Sequence, residues 1–275
     1  MVRLGTPVGP VDIVLHDQSA PRTVANFLSY VRSGAYDSSF FHRLVRGFVL
    51  QGGGLRWSDA AEPQLTLVRT SAPVANEFSA QRSNLRGTVA MAKVDGDPDS
   101  ATSQWFVNLA DNSANLDRQN GGFTVFGRVT APGMAVVDAL AGWRLVNASG
   151  CTQLGAVATA MGQTPMASAP ANCEAVTAAH LALISTAREL PTGDSVSPAD
   201  RVFQFLEASY PQWVAPASVG TQVGEGFVFR HYPSTQTYLG VVGDQLYALA
   251  PAVQPDLIPL GPLAQWLQAA ATAGY

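Results

Sequence analysis

Residues 40–54 read FFHRLVRGFVLQGGG, a run that places a cation inside an apolar stretch. Arg43 stands among Phe40, Phe41, Leu44, Val45, Phe48, Val49 and Leu50, and arginine rarely sits in such surroundings unless something holds it or uses it. Gln51 adds a neutral amide before three glycines. Two interpretations are open. Either these are two barrel strands whose apolar residues are core, with Arg43 reaching to water along its own methylenes. Or Arg43 and Gln51 are the polar groups of an otherwise apolar pocket, the usual layout of a small-ligand or catalytic site.

The chain has 275 residues, long for a single core, which favours two domains. Its 47% hydrophobic and 13% charged content, with 18 prolines and 25 glycines, describes a globular, loop-rich protein. A net charge of -4 without a basic run argues against a nucleic-acid partner. No apolar window is long enough for a membrane span, and the start MVRLGTPVG lacks the apolar centre of a signal peptide, which a mature form would already have lost. Cys151 and Cys173, 22 positions apart in a Gly/Ala/Pro-rich stretch, suit either one disulfide or two buried thiols. A disulfide there would stabilise by about 3 kcal/mol on the chain-entropy model.

Working outward, residues 2–15 alternate around a Gly-Pro turn and predict a hairpin. Pro21 opens a helix whose Val24, Phe27, Leu28 and Val31 share one face, and Gly34 stops it. Short apolar segments at 40–45, 48–51, 65–68, 87–92, 104–109 and 123–129 predict a closed or sandwich-like β structure. A second helix is expected over 132–140, and a strand over 180–185 to close the first domain. The cluster LPTGDSVSPAD marks a linker, giving domains at 1–190 and 199–275 joined by 191–198.

The second domain reads as small and α+β: a helix at 199–209, strands at 226–232 and 237–250 with Gly243-Asp244 as a hairpin turn, and a helix at 262–271. Residues 197–275 hold 11 of the chain's 24 aromatics. Phe203, Phe205, Tyr232, Tyr238 and Tyr247 form either a ligand-facing strip or the core of this domain.

Conventional chemistries find little footing. His16, His42, His180 and His231 are never at metal-ligand spacing, so neither a metal nor another cofactor is expected. Asp95, Asp97 and Asp99 read as solvated turn residues in preference to a calcium loop. There is no G-x-S-x-G elbow, and the cysteines carry no nucleophile signature.

Taken together in chain order, FHRLVRGFVLQGGG, NEFSAQRSNLRGTVAMAKVDGDPDSATSQWFVNLADN and LDRQNGGFTVFGRVTAPGMAVVDAL closely resemble the cyclophilin family of peptidyl-prolyl isomerases, bacterial members especially. The resemblance runs over roughly residues 3–190 and leaves 198–275 outside it. It implies a mainly β fold, an eight-stranded antiparallel barrel capped by two helices, with a site in a groove on its outside. It assigns Arg43 as the catalytic donor with Gln51 aligning it. It places Phe48, Val49, Phe106 and Leu116 around the proline ring, and it places Ala92 and Lys93 in the segment whose backbone holds the peptide, with Gln104 lining the groove. His42 falls beside the site, as contact or as packing.

The expected partners are proline-containing peptides and unfolded protein clients, whose folding the enzyme would assist. Two departures from the family pattern matter. Asn115 replaces a tryptophan common in eukaryotic members, which implies weak cyclosporin binding. Phe123 stands where the family has histidine or tyrosine, which keeps an apolar wall and removes a polar group. The C-terminal segment is similar to a small module found on secreted bacterial proteins. With the cysteine pair this favours a periplasmic or secreted protein, the alternative being cytoplasmic.

Overall fold

The computed structural model describes residues 1–61, 63–193, 196–213, 220–224 and 226–275. They form two compact units, one of Met1–Val129 with Gly133–Glu189, the other of Leu190–Tyr275 with Thr130–Pro132. Of the expected linker, Asp194 and Ser195 lie outside the described residues.

In the first unit, strands β1 (Val2–Thr6) and β2 (Gly9–Leu15) form a hairpin, and helix α1 (Pro21–Arg32) follows. Then come β3 (Arg43–Val45), β4 (Val49–Gly52), β5 (Thr88–Met91), β6 (Trp105–Asn108) and β7 (Val125–Val129), helix α2 (Ala131–Ala141) and β8 (Thr186–Glu189). They make one eight-stranded sheet in the order β8-β1-β2-β7-β5-β6-β4-β3. Its neighbours all pair antiparallel.

The two edge strands meet through their own N-terminal extensions. Leu183–Ile184, just before β8, pairs with Ser39–Phe40, just before β3, and the Phe41 N–H donates to the Ala182 carbonyl at 3.0 Å. Edge groups left unpaired would invite another chain, and curling the sheet until its ends touch removes that hazard. Two further short strands, Leu55–Trp57 and Leu65–Leu67, extend this closing sheet.

Helix α1 is built from its sequence as expected. Pro21 occupies the first turn, and Val24, Phe27, Tyr30 and Val31 are buried along one stripe. Its N-cap, Ala20, offers no side-chain acceptor. The Glu77 carboxylate does this from a distant loop, accepting from the backbone N–H groups of Thr23 at 2.7 Å and Arg22 at 3.2 Å. Phe27 then meets Trp105 edge-on at 5.9 Å and Phe126 at 4.9 Å, joining the helix to the barrel interior.

Two expectations need correction. The segment 180–185 is not one strand: Ala178–His180 is a 3-10 turn, and the strand that completes the sheet is Thr186–Glu189, paired to β1. The apolar run 40–45 is broken at Phe41 and His42, because its two halves belong to different sheets. The disulfide expected of Cys151 and Cys173 is formed, and the free-thiol alternative falls.

The second unit starts with helix α3 (Pro198–Ser209) and continues as a five-stranded antiparallel meander. Its strands are β9 (Gln222–Gly224), β10 (Phe227–Tyr232), β11 (Thr237–Val242), β12 (Gln245–Ala250) and β13 (Gln254–Pro262). Helix α4 (Leu263–Ala273) ends it. Strands β9 and β13 were not expected from the sequence. The five aromatic residues weighed as a strip or a core do not act together. Phe203 and Tyr232 are fully buried in the core. Phe205 packs on Trp266 and Tyr275. Tyr238 and Tyr247 line an apolar hollow of about 290 Å3 over Gly240 with Phe227 and Phe229.

Candidate active site

Strand alternation divides the residues of β3 to β7 between two faces. Leu44, Leu50, Val107 and Val89 lie side by side in register and enter the main core. One position along each strand, the register runs Arg43, Gln51, Phe106, Ala90 and Val125. Because successive side chains point to opposite sides of a sheet, that second row faces outward. Directly opposed residues have Cβ atoms roughly 5 Å apart, so a guanidinium and an amide stand at one end of a row that is apolar thereafter.

The outward row belongs to a separate apolar cluster. Val49, Ala90, Phe106, Leu116 and Val125 are buried in it, and Val45, Phe48, Ala92 and Phe123 are half-buried against it. Phe106 and Phe123 meet at 5.9 Å with planes 65° apart. A second apolar cluster on the outside of a barrel, rimmed by half-buried aromatic and aliphatic side chains, is the arrangement of a candidate ligand groove.

The polar end is chained together. Arg43 Nη1 donates to Gln51 Oε1 at 3.3 Å, and Gln51 Nε2 donates to Gln104 Oε1 at 2.8 Å. The triple glycine explains how Gln104 comes so near. A Cβ on Gly54 would sit 2.8 Å from the Gln104 side chain, and one on Gly53 would sit 2.5 Å from the Ser103 carbonyl. Gly53 also has φ of +76°, so both space and backbone demand glycine there.

His42 is buried rather than open to the groove, with 4% exposure. Burial pulls its pKa from 6.5 down to about 4, and the Arg43 charge pushes the same way against contacts with the Phe40 backbone and Gln104. The imidazole is therefore neutral at physiological pH and brings no positive charge to the site.

Two devices hold the loops that complete the floor. In the first, three buried asparagines form a ladder: Asn112 Nδ2 donates to the Phe48 carbonyl at 2.8 Å and to Asn108 Oδ1 at 2.7 Å, and Asn108 Nδ2 donates to Asn84 Oδ1 at 3.1 Å. Asn84 Nδ2 then donates to Asp117 Oδ1 at 2.8 Å and to the Phe123 carbonyl at 3.0 Å. The loops carrying Phe48, Leu116 and Phe123 are thus tied through polar groups whose burial demands partners. In the second, Lys93 Nζ donates to the carbonyls of Asn120 and Gly122, both at 2.7 Å, and lies 4.7 Å over the Phe123 ring. Desolvation lowers the Lys93 pKa against the pull of Asp99 and Asp97.

This arrangement offers a fixed cation beside an apolar cluster. That suits a reaction in which no covalent bond is made or broken. The profile described as cyclophilin type peptidyl-prolyl cis-trans isomerase/CLD matches residues 1–157. The chain belongs to the cyclophilin-type peptidyl-prolyl cis-trans isomerases. Among the relatives of this cyclophilin, a peptidyl-prolyl cis-trans isomerase of Acinetobacter baylyi is 43% identical over 51% of this chain and 71% of its own. One from Streptomyces antibioticus is 43% identical over 54% of this chain and 87% of its own. Peptidyl-prolyl cis-trans isomerase B of Escherichia coli is 40% identical over 52% and 84%.

Of the residues singled out in the cyclophilin's sequence, Phe48, Val49, Ala92, Phe106, Leu116 and Phe123 come together in the outer cluster, and Arg43, Gln51 and Gln104 in the polar chain. Lys93 acts differently from the expectation: its side chain, not only its backbone, is committed, to the 120–122 turn. His42 lies behind the row. The asparagine ladder was missed. The available signal was three asparagines, at 84, 108 and 112, among apolar or small neighbours, where each would need buried partners.

Proposed function

We propose that this groove binds an extended proline-containing segment and that Arg43 catalyses rotation about its X-Pro bond. The observation that carries this is the single outward row, in which a guanidinium and its aligning amide adjoin Phe106 over an apolar floor. Rotation must break amide resonance against a barrier of roughly 18–20 kcal/mol. As the bond twists, the prolyl nitrogen becomes pyramidal and exposes a lone pair. A guanidinium stays charged and presents its donors in a rigid fork, so it favours that twisted state over both planar ones. Gln51 fixes the fork and Gln104 fixes Gln51. Phe48, Val49, Phe106, Leu116 and Phe123 take the proline ring, and the backbone at Ala92 and Lys93 takes the flanking peptide as an added strand.

By analogy with one oxyanion donor, Arg43 contributes on the order of 3 kcal/mol. Arg43→Ala is expected to lower kcat/KM on a proline test peptide by about a hundredfold or more while the circular dichroism spectrum is retained. Normal turnover by this variant would sink the assignment.

The physiological substrates are proposed to be unfolded protein clients, and the enzyme to assist their folding outside the cytoplasm, in the periplasm or beyond it. The Cys151–Cys173 disulfide supports an oxidising compartment. Cyclosporin is proposed to bind weakly, because the exposed residue before Leu116 is Asn115 and offers no large apolar surface. Nanomolar inhibition would refute that point alone.

A further inference from the structure

Arg43 lies on an edge strand. One edge of β3 pairs with β4. The other edge is met by residues from the segment closed by the disulfide. The Leu44 N–H donates to the Gln163 carbonyl at 2.8 Å, and Thr164 Oγ1 donates to the His42 carbonyl at 2.8 Å. These two bonds bracket Arg43 in the chain. Thr164 is fully buried, so its hydroxyl has no water to fall back on.

Gln163 and Thr164 sit near the middle of the loop between Cys151 and Cys173. The same segment packs Leu154, Ala158, Met161 and Met166 on Phe40, Leu55 and Trp57 in an apolar cluster of its own. The run FFHR is consequently divided: Phe40 enters this cluster, Phe41 enters the main core, and Arg43 is left on the outer row. A shift of the 151–173 segment therefore moves the backbone that aims the guanidinium.

We propose that the disulfide-closed segment 151–173 is a positioning clamp for Arg43, with Thr164 as its positioning residue, so that the isomerase is more active oxidised than reduced. The inference rests on Arg43 as the catalytic donor. Cys151 is buried and Cys173 is half-buried, so a dithiol reductant attacks, as a thiolate, at the Cys173 sulfur. The S–S bond breaks with its electron pair leaving on the Cys151 sulfur, which takes a proton. The reductant's second thiol closes on the mixed disulfide and releases Cys173, which is then protonated. The protein gains two electrons and two protons, and the dithiol becomes a cyclic disulfide. The apolar anchors remain, so the clamp loosens without being lost.

The test uses the full chain. After dithiothreitol treatment, with two thiols per chain confirmed by titration, kcat on a proline peptide is expected to fall about tenfold and to recover on reoxidation, the size expected of a small misplacement of a catalytic group. A Cys151→Ser/Cys173→Ser variant that folds should be as slow as the reduced enzyme and indifferent to dithiothreitol. Thr164→Val, which keeps the disulfide, should lower kcat with little change in KM, and Thr164→Ser should restore it. Full activity of the titrated, reduced enzyme, or of Thr164→Val, overturns the proposal. If Arg43→Ala proves fully active, the reading of the site fails first, and the response to reduction is then assigned to another group.

Discussion

The two faces of strands β3 to β7 are made from alternate residues of the same short segments, yet they serve different ends. The inner row, Leu44, Leu50, Val107 and Val89, is sealed beneath helix α1 and the aromatic cluster around Trp105. The outer row has comparable apolar content, but it is rimmed by half-buried Val45, Phe48, Ala92 and Phe123, and a cation stands at its end. The difference shows that burial alone does not mark a core. Phe106, at 4% exposure, is nearly as enclosed as Trp105 at 0%. Their directions on the strand place Trp105 in the closed core and Phe106 beside the proposed site.

The largest expected effect tests this directly on neighbouring residues. Trp105→Ala removes a fully buried side chain from the closed face and should destabilise by about 3–5 kcal/mol, read as a lower urea midpoint. Phe106→Ala, in the smaller outer cluster rimmed by half-buried Phe48 and Phe123, should cost about 3 kcal/mol of stability. It should also lower kcat/KM per folded molecule by about tenfold or more, since the proline ring loses its wall. If Phe106→Ala unfolds like Trp105→Ala and the surviving fraction turns over normally, the outer cluster is simply a second core.

His42 stands at the seam between the faces and offers an intermediate effect. Its native pKa of about 4 lies below the ordinary 6.5, chiefly through burial, so the unfolded chain binds more protons between those values. Stability from this group is fully present above pH 6.5 and is lost as pH falls towards 4. The loss is on the order of 3 kcal/mol once both states are protonated. Denaturation midpoints of the wild type and His42→Gln at pH 7.5 and pH 4.5 isolate it: the wild type should lose more on acidification. Parallel losses would mean that the imidazole is not the group responsible, and that the seam is wetter than its burial implies.

Much of this division was legible in the sequence. The alternation through Val49–Gly52 and Trp105–Asn108, and the arginine of the F-H-R run, are local signals, since a strand writes both of its faces into consecutive residues. What escaped depends on partners far along the chain. The break at Phe41–His42 exists because two sheets compete for adjacent residues. Strand β13 carries Pro255, Pro259 and Pro262, which read as loop. It survives as a strand because it lies at the edge of its sheet, where missing N–H donors cost least. The asparagine ladder was invisible because one asparagine does not announce another 24 residues away.

The smallest effect concerns how the open face is kept open. Lys93 holds the 120–122 turn through two carbonyls while its ammonium lies over Phe123. Asn120, Gly121 and Gly122 all have positive φ, so the turn gains from an external tether. Lys93→Met keeps the aliphatic stem and removes the donors. The site is only half-buried and water screens the charge, so the loss is expected to be about 1 kcal/mol, roughly fivefold in kcat/KM. It should appear mainly in KM, because the Phe123 wall shifts while Arg43 stays in place. Since desolvation already lowers the Lys93 pKa, wild-type KM should rise on the alkaline side at a lower pH than an ordinary lysine would give. That rise should be absent from Lys93→Met. A variant with unchanged KM, or one that retains the alkaline rise, would show that the floor of the groove is fixed by the asparagine ladder alone.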